Sequence, residues 1–101
     1  MTDNDILTML KTDLQISAAQ YDTYLTNIIK LAKAAIIKEG IVFNELVANG
    51  ESEGLTVEDG MLVQMYAAYL YRKRREEKAT MPRSLRYALN NRLLSQKGSA
   101  T

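Results

Sequence analysis

The sequence predicts an all-α fold: a small bundle of about four helices with one long loop between the second and third main helices. Three observations carry this. Apolar residues recur at steps of three and four along most of the chain, which is the spacing of one helix face. Residues able to cap a helix precede these stripes, while Gly40 and the lone Pro82 stand where helices stop or start. The 101 residues suit one domain, and no internal repeat divides them. The expected organisation is a single helical domain over 1–95 and a flexible C-terminal tail over 96–101, which is small and polar.

Asn4 or Asp3 can cap a first helix over about 4–14, with Ile6, Leu7, Leu10 and Leu14 on one face and Thr8, Lys11 and Asp13 between them. Ser17 reads as the next N-cap, with Gln20 at capping-box spacing. The helix that follows, about 18–39, has the longest stripe: Tyr21, Leu25, Ile28, Ile29, Ala32, Ala35 and Ile36. Lys30, Lys33 and Lys38 fall on its solvent side, and Gly40 suits the left-handed position after its end. Residues 41–55 change character. Ile41, Val42 and Phe43 start a short strand or pack as a hydrophobic cap. Asn49-Gly50, between Leu46-Val47 and Leu55-Thr56-Val57, signals a hairpin turn. The polar, glycine-bounded stretch 49–54 equally fits an irregular loop. Thr56 can cap a third helix running to about 78, with Glu58 and Asp59 in its first turn. Gly60 weakens its start by about 1 kcal/mol relative to alanine. Leu62, Met65, Tyr66, Tyr69 and Leu70 form the expected core stripe. Pro82 fits the first turn of a fourth helix, about 82–95, with Leu85, Ala88, Leu89 and Leu93 facing inward.

Composition narrows the chemistry. With 47% hydrophobic and 25% charged residues, the chain is expected to be ordered. It contains no cysteine, histidine or tryptophan. A disulfide frame, a thiol nucleophile and an iron–sulfur cluster are excluded, and the usual zinc sites lose their ligands. Glu58-Asp59 and Glu76-Glu77 are helix neighbours pointing about 100° apart, so neither makes an acid–base dyad. No glycine-rich phosphate loop is present. The expectation is a binding or structural protein rather than an enzyme, with no catalytic residue, cofactor or metal. No stretch of about 18 apolar residues predicts a membrane span, and the N-terminus lacks the pattern of a signal peptide.

The net charge of +1 hides an asymmetry. Residues 1–71 carry four lysines against ten carboxylates, a balance of −6. Residues 72–101 carry nine lysines and arginines against two glutamates, a balance of +7. Two unlike faces suit head-to-tail self-association; two solvated faces within one fold account for the same numbers. The run Arg72-Lys73-Arg74-Arg75 can contact phosphate or a protein partner. It also suits a helix end, complementing the dipole and pairing with Glu76 and Glu77. Tyr66 and Tyr69 read as core or interface, Tyr71 points elsewhere, and Tyr87 is free to anchor an interface. A helix-turn-helix-like DNA-binding regulator is the alternative, since a basic helix follows the turn at Thr80-Met81-Pro82. The long preceding helix and the low net charge argue against it.

Three stretches carry a family resemblance: Asp5-Ile6-Leu7-Thr8-Met9-Leu10-Lys11 followed by Tyr21-Asp22-Thr23-Tyr24-Leu25; Gly60 through Arg74; and Met81-Pro82-Arg83-Ser84-Leu85-Arg86-Tyr87-Ala88-Leu89-Asn90-Asn91-Arg92-Leu93. With them the chain resembles the small head–tail connector (adaptor) proteins of long-tailed bacteriophages. The resemblance implies a structural virion protein at the capsid–tail junction, assembled in the bacterial cytoplasm. Its helical protomers would form a ring under the portal protein, with twelve copies matching the portal's symmetry. The ring would extend the channel for double-stranded DNA without sequence-specific binding, and would offer a surface to the next neck, stopper or tail protein. A C-terminal segment, here the short stretch from about Ser95 to Thr101, would dock on the portal. On this reading Arg72, Arg74, Arg75, Arg83, Arg86, Tyr87 and Arg92 form the subunit or portal interface. The loop 44–55, with Glu45, Glu51 and Glu53, lines the channel or faces a partner.

Overall fold

A computed structural model describes residues 1–99. Among them are four α-helices: α1 (Asp3–Leu14), α2 (Asp22–Lys38), α3 (Val57–Arg75) and α4 (Arg83–Ser99). A 3-10 turn, Ala19–Tyr21, leads into α2. Between α2 and α3, strands β1 (Glu45–Ala48) and β2 (Glu51–Leu55) pair antiparallel. The fold is therefore mostly helical but not strictly all-α, and the segment left open between hairpin and loop is a hairpin.

Local chemistry explains most boundaries and corrects several expectations. Thr2, rather than Asn4 or Asp3, caps α1. Its hydroxyl accepts from the Asp5 N–H at 3.2 Å, and the Asp5 carboxylate accepts from the Thr2 N–H at 2.9 Å. The Thr2 N–H first, and then the Thr2 hydroxyl, hold the Asp5 carboxyl below its ordinary pKa. Ser17 caps nothing, and α2 starts at Asp22 without a side-chain cap. Asp22 instead takes the Lys11 ammonium at 2.7 Å. Thr56 caps α3 as expected, accepting from the Asp59 N–H at 3.3 Å. That helix ends at Arg75, three residues before the expected stop. Pro82 lies just outside α4, at the N-cap, where its carbonyl accepts from the Arg86 N–H at 3.1 Å. α4 continues to Ser99, so the tail expected over 96–101 is helical as far as that residue; residues 100 and 101 lie outside the described part.

In the hairpin, Asn49 and Gly50 both have positive φ, 55° and 80°, as a type I′ turn requires. Leu55 buries at its base, and its N–H donates to the Met1 carbonyl at 2.8 Å. Gly54, at φ 102°, lies so close to Met1 that a Cβ there would collide with the Met1 carbonyl.

The core draws on every helix. Ile6 and Leu10 come from α1, Leu25, Ile28, Ile29, Ala32 and Ile36 from α2, and Leu85 and Leu89 from α4. Each large aliphatic side chain buried here contributes about 1.5–3 kcal/mol. α3 is central, packing against α1, α2 and α4. Its buried apolar face is Leu62, Val63, Ala67 and Ala68, rotated from the expected stripe, while Met65, Tyr66, Tyr69 and Leu70 are half-buried around it. Small alanines let the neighbouring helices approach α3 closely, and the longer side chains fill the margins.

Paired charges give the helix directions. Lys11–Asp22 and Lys33–Asp3 bridge opposite ends of α1 and α2, which run antiparallel. Asp59 and Arg92 join the start of α3 to the second half of α4, also antiparallel. The body is a flat slab of 42 × 35 × 18 Å. Because β2 feeds into α3 through Thr56, the hairpin and the Arg72–Arg75 run lie at opposite ends of α3. A helix of that length separates them by about 28 Å.

Candidate interaction surfaces

The basic end of α3 is laminated onto tyrosines. Arg74 lies 5.6 Å from the Tyr24 ring centroid, Arg75 5.7 Å from Tyr71, and Lys73 5.7 Å from Tyr69. Arg75 also donates to the Tyr71 hydroxyl at 2.8 Å. Tyr24 and Tyr71 meet edge-on, centroids 6.4 Å apart, and Tyr66 and Tyr69 do so at 5.8 Å. Arg72 reaches Asp13 of α1 at 3.5 Å. Among the described residues, no ion pair joins Glu76 or Glu77 to this run; the helix has ended and both glutamates have left its register. The four cations stay exposed at the helix's negative end, three of them over aromatic rings.

Beside them a groove of about 700 Å³ opens between the α1–α2 connection and the end of α3, lined by Ile16, Tyr21, Tyr24, Tyr71 and Arg75 among others. Tyr21, expected in the core, is exposed here. Neither Tyr21 nor Tyr24 was a predicted site residue. Their spacing of three, one helical step, is the sequence signal that they share a face.

The α4 arginines separate by role. Arg83 is exposed, and so is Tyr87. Arg86 donates through both Nη atoms to the Glu39 carboxylate, at 3.2 and 3.3 Å, which fastens α4 to the end of α2. The half-buried Tyr66 phenol nearby has its pKa raised, by burial first and then by the Glu39 charge. Arg92 is not a surface residue. It is 5% exposed and donates to both oxygens of the fully buried Asp59, at 2.7 and 3.2 Å. Its pKa is raised further by those bonds. Arg92 also donates to the Val42 carbonyl at 2.7 Å, and Asp59 accepts from the Asn44 N–H at 2.7 Å. Gln96 donates to the Gly40 carbonyl and accepts from the Val42 N–H. Together these groups strap residues 40–44 to the bundle and set where the hairpin emerges. Arg92 therefore leaves the interface set: burial and a committed carboxylate make it an internal clamp.

At the opposite end of α3, Glu45, Glu51 and Glu53 are exposed on the hairpin, together with Leu46 and Val47. Among the described residues, no group of carboxylates is arranged to hold a metal ion, and no helix is long and apolar enough to cross a membrane. The two ends of α3 thus carry exposed side chains of opposite charge, each with exposed apolar or aromatic side chains nearby. No protein-family model, curated protein or solved structure matches the chain.

Proposed function

We propose that this chain is a bacteriophage head–tail connector subunit, a structural virion protein that assembles as a ring under the portal. The ring would have twelve copies in the virion, extend the DNA channel and join the capsid to a neck, stopper or tail protein. The observation that carries the proposal is the separation of charge along α3: exposed carboxylates on the hairpin at its start and four successive cations at its end. A cyclic ring needs unlike faces that meet head to tail, and one polar protomer supplies both. The resemblance of residues 5–11, 21–25, 60–74 and 81–93 to connector proteins gives the reading its biological setting. A DNA-binding regulator is less favoured, because Arg86 and Arg92 of the would-be recognition helix are committed to Glu39 and Asp59.

The test is native mass against concentration by light scattering, with negative-stain images of the same sample, alone and mixed with the virion's portal protein. Closed rings of about a dozen copies, free or templated on the portal, are expected for a cyclic assembly. A chain that neither forms rings nor binds the portal would overturn the assignment.

A further inference from the structure

We infer that copies of this chain dock head to tail, the β-hairpin of one seated in the tyrosine-lined groove of the next. The inference rests on the ring reading and names the surfaces that would build it. Groove and hairpin are complementary in three respects.

The first is apolar area. In the groove Tyr21 and Tyr24 are 43% and 37% exposed, and on the hairpin Leu46 and Val47 are 45% and 66% exposed. Tyr21 and Tyr24 line the cavity itself, and Leu46 and Val47, adjacent in β1, offer one exposed apolar side chain on each face of the hairpin that would enter it. The second is charge. Arg75 lines the groove and Arg74 lies over the ring of its lining residue Tyr24, and the Arg75 guanidinium keeps donors beyond the one spent on Tyr71. Glu45, Glu51 and Glu53 flank the hairpin's apolar pair and, among the described residues, enter no ion pair. The third is size. A groove of about 700 Å³ admits several side chains, as the tip of a hairpin would present.

A copy cannot fill its own groove, because α3 holds hairpin and groove about 28 Å apart. Docking between two copies leaves one hairpin and one groove open, so the contact repeats from copy to copy, and it closes a ring when the rotation between copies returns to the start. Arg92, Asp59 and Gln96 matter to this contact indirectly, because they fix the strap from which the hairpin projects.

The experiment is a charge swap on the full chain, read by sedimentation equilibrium from micromolar to millimolar concentration, with circular dichroism to verify folding. One variant is Glu51→Lys with Glu53→Lys; the other is Arg74→Glu with Arg75→Glu. All four positions are exposed, so the fold should survive. Wild type is expected to self-associate, and each variant alone to do so at least about tenfold more weakly, because like charges then meet. Mixing the two variants should restore assembly, since the reversed hairpin fits the reversed groove and the native hairpin fits the native groove. A monomeric wild type, variants that assemble like wild type, or a mixture that fails to recover would each overturn the docking. So would loss of short-duplex DNA binding in the arginine variant with unchanged self-association, which would make nucleic acid the groove's occupant. Rings or portal binding that persist in both variants leave the connector reading standing while the docking falls. Wild type that neither rings nor binds the portal brings down the connector reading itself.

Discussion

At the scale of single residues, the decisive pair is Arg92 and Asp59. A charged pair with exposures of 5% and 0% is kept inside only because every nearby donor and acceptor is used. Replacing Arg92 with alanine leaves the Asp59 carboxylate buried without its counterion. We expect a loss of about 3–5 kcal/mol in unfolding free energy by urea titration. Adding Asp59→Asn should recover part of it by removing the stranded charge; a single variant as stable as wild type would contradict the clamp. Part of this was legible beforehand. Leu85, Leu89 and Arg92 stand at steps of four and three, so Arg92 sits on the apolar stripe of α4 rather than beside it. Asp59 gave no such sign, since an acidic residue in a first turn is satisfied by the helix dipole alone.

At the scale of elements, the hairpin depends on a two-residue turn that holds both central residues at positive φ. Changing Asn49 and Gly50 to alanine should loosen it, since each L-residue forced into the left-handed region costs about 1–2 kcal/mol. Amide exchange should quicken over 45–55 and stay unchanged in α2 and α3, whose packing does not pass through the turn. Exchange that rises uniformly would show that the hairpin is part of the bundle's cooperative unit. The turn dipeptide was readable, but the choice between hairpin and loop was not. It depends on Leu55 reaching the core and on Met1 pairing with it, a contact across more than fifty residues. The buried face of α3 departs from the periodic stripe for a related reason. A helix packed by three neighbours has no single inward stripe, so periodicity alone chooses the largest side chains rather than the most enclosed ones.

At the scale of the whole molecule, the arrangement of charge governs behaviour. In the proposed docking, the two ends of α3 attract across copies only as far as salt permits. Self-association should therefore weaken as ionic strength rises from about 0.05 to 0.5 M, where the Debye length shortens from well over the contact distance to a few ångströms. Sedimentation at both salts reads this out. Association that holds steady or tightens with salt would place the contact on apolar surfaces such as Leu31, Ile37 or Leu94, which are 56%, 57% and 66% exposed.

The sequence by itself determined what lies within a few residues of its cause. The four helices, their approximate spans, the Thr56 cap, the left-handed Gly40 and the charge imbalance between the two parts of the chain are all readable from spacing and composition. Only the tertiary structure decided which arginines reach solvent. It turned Arg92 inward, spent Arg86 on Glu39, and stacked Arg74 and Arg75 on tyrosines from two helices. The physical reason is range. Helix periodicity and capping are satisfied by neighbours along the chain, whereas a charge finds its partner only after the chain has packed, and that partner decides whether it serves the core or the surface.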